Sequence, residues 1–196
     1  MAEVYGDYLE DLSGSLEFLS VSFQPSVIAL QQRWRNGALA SFLVTYLPSL
    51  AITLDINLEE QLDDLSAAVN YIANELLENA LRFGQAVVQE PIGLALYLYR
   101  DRLVLLASNT LSTGARKRLQ AFIQALLARD PEVLYAQQLA RDARADTAAQ
   151  LGYLTMLNDY QAELGWKFEP AREPELERVT VMVQLTVNRE LAKGSD

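Results

Sequence analysis

Val179, Val181, Val183, Leu185 and Val187 alternate without a fault with Thr180, Met182, Gln184 and Thr186. A period of two sends the aliphatic set to one side of an extended chain and the more polar set to the other, so this segment predicts a half-buried β-strand. Such a strand must pair, and its apolar face must be covered, which commits the chain to a sheet carrying a second layer. Candidate partners are legible. Leu19, Val21 and Phe23 alternate within residues 16–23. Two β-rich runs, Ile92–Tyr99 and Leu103–Ala107, flank Arg100-Asp101-Arg102 and predict a hairpin. Leu94, Leu96 and Leu98 on one side of it and Ala95, Tyr97 and Tyr99 on the other are all apolar-bodied, so both faces of the sheet are expected to be covered. Trp166–Glu169 reads as a short strand and Glu173-Pro174 as a turn.

Between these runs the period changes. Val69, Ile72, Leu76, Ala80 and Phe83 fall at spacings of three and four, predicting a long helix from about Leu58 to Phe83 with Gly84 at its end. Pro25 and Gly37 bracket a short helix over Ser26–Asn36, and Ala38–Leu47 reads as another, closed by Pro48. From Asn109 to about Leu164 the pattern is helical, with breaks at Gly114, Asp130-Pro131 and near Asp146-Thr147, and Gly165 as the last stop. The expectation is one α/β domain over 1–196, an α+β sandwich with a mixed, mainly antiparallel sheet and helices packed on it. Its parts are an N-terminal strand with short helices over 1–50, the long helix over 58–84 and a lid-like helical insert over 109–152. A length of 196 residues suits a single core.

Composition removes whole classes of chemistry. The chain has no cysteine and no histidine. Disulfides, thiolate nucleophiles, imidazole bases and a phospho-accepting histidine are therefore excluded, as are most zinc sites. Acid–base work falls to carboxylates, Lys, Tyr or backbone, and any metal would be a hard ion on oxygen ligands, such as magnesium. A net charge of −10 disfavours nucleic acid and anionic membranes, since binding either depends on Lys and Arg neutralising phosphates. No apolar run reaches the roughly 18 residues of a bilayer span. The acidic start, MAEVYGDYLEDLSG, lacks the layout of a signal peptide, so a cytoplasmic location is expected.

One segment carries a chemical constellation. In NELLENALRF, Glu75 and Asn79 stand four apart and Arg82 three further on, so a carboxylate, an amide oxygen and a cation share one helical side. Phosphoryl chemistry uses all three: the amide oxygen for magnesium, the carboxylate to orient a nucleophile, the cation to offset phosphate charge. The same spacing also describes the wet face of an amphipathic helix. Arg116-Lys117-Arg118 is the one basic cluster and reads as a solvated helix face, with a phosphate clamp as the alternative. Tyr97, Tyr99, Tyr153, Tyr160 and Trp166 read as core.

Glu75, Asn79, Ala80, Arg82 and Phe83 fit the frame of the N-box, and in this the segment resembles the GHKL, or histidine-kinase-like, ATPases. The resemblance covers about Leu58 to Val187. More narrowly, SFQPSVIALQQRWRNGALASFLVTYL and LGYLTMLNDYQAELGWKF make the chain similar to a family of cyanobacterial regulators related to the partner-switching anti-sigma-factor kinases. The resemblance implies a catalytic base at Glu75, a magnesium ligand at Asn79, a phosphate contact at Arg82 and a base-bordering aromatic at Phe83. It also places Asn109 where the family has the adenine-binding Asp, beside Thr110, and a reduced second glycine box at Gly152 and Thr155. Where the family has glycine-rich loops, this chain keeps Gly114 and Gly152, so backbone approaches phosphate less closely.

These features imply a nucleotide-binding signalling regulator taking ATP or ADP with Mg2+ and acting on a partner regulatory protein, as a serine/threonine protein kinase or by sequestration. One alternative is a flavin (FAD or FMN) sensor of light or redox state on the same fold, because FAD carries an adenine and flavins suit aromatic walls. Another is a non-catalytic interaction module, such as a homodimer, because both sheet faces are apolar.

Overall fold

A computed structural model of the chain describes residues 2–24, 34–54, 62–84, 90–139, 145–173 and 175–187. Six strands form one sheet: β1 (Glu3–Gly6), β2 (Glu17–Phe23), β3 (Ile92–Leu98), β4 (Arg102–Ser112), β5 (Glu163–Pro170) and β6 (Leu176–Thr186). They lie in the order β1-β5-β6-β4-β3-β2, every neighbouring pair antiparallel. Five helices are described: α1 (Trp34–Leu54), α2 (Leu62–Phe83), α3 (Thr113–Ala128), α4 (Pro131–Leu139) and α5 (Ala145–Asn158). The architecture is the expected α+β sandwich.

The alternation in β6 does what its period requires. Val179, Val181, Val183 and Leu185 join Leu103, Leu105, Leu94, Leu96, Trp166 and Phe168 in the main core, under α2 and its neighbours. α2 closes that core with Val69, Ile72, Leu76 and Leu77, all essentially removed from solvent. Each such side chain contributes about 2 kcal/mol by burial.

The reverse face is covered as well, among the described residues by the start of the chain. Tyr8, Leu9 and Leu12 lie over Val104, Leu106 and Met182, beside Ala95, Tyr97 and Tyr99. The Leu9 N–H points at Met182 Sδ at 3.2 Å, and the Gln184 amide donates to the Asp7 carbonyl. β6 is therefore buried on both sides, and its more polar face is roofed by the chain's own start. Two glycines make the roof fit. Gly6 has φ +63°, where the chain leaves β1, and a Cβ on Gly165 would stand 2.6 Å from Tyr8 N and Cα. Toward the β2 edge this cover ends, and Phe18, 63% exposed, stacks on Tyr97 at 5.5 Å.

Several boundaries differ from the sequence reading. The helix expected over Ser26–Asn36 lies outside the described residues except for its last three, which open α1. Neither Gly37 nor Pro48 ends that helix, which runs on to Leu54 with Pro48 inside it. Proline costs a helix interior about 3 kcal/mol. Here Ala40, Leu43 and Leu47, at helical spacing ahead of the proline, are buried in the core, and α1 packs along α2. Residues 58–61 of the expected long helix lie outside the described residues.

The strand β4 does not stop at Ala107 but continues to Ser112, because β6 pairs with it over the whole run from Arg102↔Thr186 to Ser112↔Leu176. Residues 109–112, expected at the start of the helical insert, are thus strand, and the described helices of the insert are α3, α4 and α5. Gly165 ends no helix. It sits inside β5, paired with Gly6 on one side and Met182 on the other. β1 went unread because four residues with two exposed ends carry no detectable period.

Glu90, just ahead of β3, forms a part-buried ion pair. Glu90 accepts from the Arg172 N–H at 2.8 Å and from Arg178 Nη2 at 2.5 Å. The Arg172 N–H, with help from the Arg178 charge, holds this carboxyl below its ordinary value of 4.5 against the opposing effect of burial. A depressed folded-state pKa means the stabilisation is present above the unfolded value and fades as pH falls below it. Glu90→Ala is therefore expected to cost about 2 kcal/mol at pH 7, less than a fully buried pair because Arg178 is 31% exposed. Urea melts should find the gap between variant and wild type closing below pH 4.5.

Candidate functional site

α2 crosses the sheet with one polar residue set into its apolar stripe. Asn79 lies one helical step from Leu76 and beside Ala80, and it is only 6% exposed. Neither its amide oxygen nor its amide nitrogen has a hydrogen-bond partner in the protein. A buried, unpaired amide costs roughly 1–3 kcal/mol, so the position is anomalous for a structural residue.

Asn79 lines a hollow of about 600 Å3, counting its open mouth. The floor is the sheet, through Ala107, Asn109 and Leu111 of β4 and Val179 and Val181 of β6. One wall is α2, with Leu76, Asn79 and Phe83, and the roof is α3 and α5, with Arg118, Phe122 and Tyr153. Apolar and aromatic walls with a few polar groups are what a small planar ligand requires.

The aromatic side is built as a chain of contacts. Phe122 stacks on Tyr153 at 6.0 Å, and Tyr153 meets Trp166 edge-on at 5.8 Å. Burial pushes the Tyr153 hydroxyl up to about 12, opposed by the nearby Trp166 and Asn79 N–H groups. Those groups approach the hydroxyl without reaching hydrogen-bond geometry, since Trp166 Nε1 and both Asn79 amide atoms remain unpartnered. Tyr153 therefore stays a neutral donor across the physiological range.

The sequence-expected residues divide into two groups. Asn79, Phe83 and Asn109 share the hollow. Asn109 is buried on β4, and its amide makes one long bond, 3.4 Å, to the Thr110 carbonyl. Thr110 is buried too, but strand alternation sends it to the reverse face. Arg82 is off the wall, paired along its own helix with Glu78 at 3.4 Å. Gly152 and Thr155 also lie off the wall, on the side of α5 that packs on α2. A Cβ on Gly152 would overlap the Glu75 carboxylate and stand 3.1 Å from its Cδ. One turn on, Thr155 reaches the Tyr71 hydroxyl, which burial raises above its ordinary pKa.

Glu75 is thus a half-buried carboxylate at the α2–α5 contact, beside the hollow rather than on its wall. Burial, then Glu78, raise its pKa, and Arg82 opposes them. The obstruction at Gly152 is the end of a flexible side chain, so Gly152→Ala should displace the carboxylate and lower stability by under about 1 kcal/mol. A thermal melt beside the pH titration of Glu75 would check both halves.

Phe122 is not among the expected site residues, Tyr153 reads as core, and Arg118 enters only with the basic cluster whose alternative reading is a phosphate clamp. Their signal was present, since Ala115, Arg118, Leu119 and Phe122 recur at spacings of three and four, but that pattern alone reads as an ordinary core stripe. No group of three or more Asp and Glu able to hold a metal occurs among the described residues. Asn79, Asn109 and Gln150 bring side-chain amide oxygens to this hollow, and of these Asn79 Oδ1 is buried without a partner, a donor set that fits magnesium held mainly by ligand phosphates and water. No described helix is long and apolar enough to cross a membrane.

No protein-family model and no curated protein matches the chain. Among solved structures, the fold is similar to a chain in the crystal structure of the SiaB–SiaC complex from Pseudomonas aeruginosa, at 16% identity and a TM-score of 0.56, over 89% of this chain and 91% of that one. At that identity the likeness is one of fold.

Proposed function

We propose that this protein is an adenine-nucleotide-binding signalling regulator that acts on a partner regulatory protein. The observation that carries the reading is Asn79, an unpartnered buried amide opening into an apolar hollow. A ligand that supplies its missing partners removes the cost of burying it. Asn79 Oδ1 would hold Mg2+, which offsets phosphate charge when bound. Asn109, an amide rather than the family's carboxylate, would accept from the adenine amino group without charge assistance. Phe83 would border the base.

The fold likeness to a protein solved in complex with another supports a protein partner. A raised pKa makes Glu75 a stronger base than an ordinary carboxylate, which suits it to take a hydroxyl proton from a partner's serine or threonine. Its place beside the hollow suits a reaction at the ligand's edge.

Phe83, Phe122 and Tyr153 together favour a second reading, a flavin in the same hollow. One set of measurements separates them. The purified protein is examined by absorption spectroscopy and titrated calorimetrically with ATP and ADP in magnesium. Micromolar nucleotide binding with no visible chromophore supports the nucleotide reading. Flavin bands without nucleotide binding support the alternative, and neither signal removes both, leaving an interaction module or homodimer.

A further inference from the structure

In the N-box frame the cation that meets phosphate stands at Arg82, but here Arg82 pairs with Glu78 and lies off the wall of the hollow. Arg118 on α3 is on that wall. Its Nη1 lies 3.7 Å from the point a Cβ on Gly114 would occupy. The side chain therefore folds back one turn, toward the start of its own helix. α3 is 16 residues long; the Ser112 hydroxyl caps its Ala115 N–H, but its first turn has no acidic residue, so no carboxylate there offsets the partial positive charge of its N-terminal end. Guanidinium and helix end add at one corner of the hollow. Independently, the buried and unpartnered Asn79 amide opens into the same hollow and calls for a polar ligand.

The neighbouring cations Arg116 and Lys117 do not line the hollow. Arg116 is held by Glu3 at 2.6 Å and Glu177 at 2.8 Å, with its guanidinium 5.5 Å from the Phe168 ring centre. Lys117 is exposed and off the wall.

We infer that Arg118, folded over Gly114 at the head of α3, and not Arg82, holds the phosphate end of the nucleotide; this rests on the nucleotide reading above. Gly114 is exposed, and its Cβ position is bounded only by that guanidinium, so glycine here leaves the cation its place.

The test is calorimetry with Mg·ATP and with adenosine on wild type, Arg118→Ala, Arg82→Ala and Gly114→Leu. Arg118 is exposed, so its truncation leaves the core intact, and a melt verifies this for each variant. Losing a charge-assisted contact is expected to weaken ATP at least tenfold in Arg118→Ala, with adenosine unchanged. Gly114→Leu, which keeps the charge but takes its place, should weaken ATP in the same direction. Arg82→Ala should stay within about twofold of wild type for both ligands. ATP binding within twofold of wild type in Arg118→Ala, a parallel loss of adenosine, or a loss that appears in Arg82→Ala instead would overturn the assignment. Wild type that binds neither ligand would overturn the nucleotide reading itself and this assignment with it. Wild type that binds ATP alongside an indifferent Arg118→Ala removes the assignment alone.

Discussion

Asn79→Leu is expected to make the protein more stable and unable to bind nucleotide. The amide is 6% exposed and both its polar atoms are unpartnered, so replacing it with an apolar side chain of similar volume removes a desolvation cost of about 1–3 kcal/mol. In a domain of this size each kcal/mol moves the melting temperature by about 2–4 °C, so a rise of several degrees is expected. Leucine offers no oxygen to magnesium and fills the wall between Leu76 and Phe83, so ATP binding should fall below detection in the same preparation. A gain in stability with a loss of binding is the signature of a residue kept for a ligand. A variant that melts lower than wild type would mean that Asn79 is a structural amide, and the site would lose its main support. Asn79→Asp should be destabilised near neutral pH, because an unpaired carboxylate is then buried at the same point.

Gly165→Ala is expected to be the most damaging small substitution in the sheet. The added methyl would meet the backbone of Tyr8, with N and Cα both at 2.6 Å. Backbone cannot rotate aside as the Glu75 side chain can at Gly152. Either β5 moves away from β6 or the segment over the reverse face lifts. Lifting it would uncover Val104, Leu106 and Met182 and break the bond from Gln184 to the Asp7 carbonyl. Overpacking of this kind costs up to about 3 kcal/mol, a fall in melting temperature on the order of 10 °C. Hydrogen exchange should distinguish the two outcomes, since a lifted segment exposes the Leu9 N–H while β5–β6 pairing stays protected. A melting temperature within 2 °C or so of wild type would mean that residues 7–12 do not rest on β5 as described.

These two positions mark how far residue patterns carry. The α2 stripe and the β6 alternation are local periods, and a period is visible in the chain because the geometry of helix and strand fixes which residues share a side. The β3–β4 hairpin was readable for the same reason. Local pattern reads the stretch around Thr110 as loop and helix, yet it is strand, because the length of β4 is set by β6, some 70 residues later in the chain. Pro48 and Gly37 signal helix ends locally, yet packing of α1 on α2 outweighs both. Glu75, Asn79 and Arg82 looked equivalent by spacing, and the tertiary surroundings separated them into a carboxylate beside Gly152, an amide in the hollow and a cation paired on the helix surface.

The sequence alone determined the fold class, the long helix with its chemical residues, and the exclusion of thiol and imidazole chemistry, because composition and period are properties of neighbours along the chain. Only the tertiary structure decided which side chains face the hollow, that Arg118 joins them from α3, and that residues 8–12 roof the reverse face. Those outcomes depend on surfaces meeting across large separations in sequence, where burial and steric fit, not local preference, set the free energy.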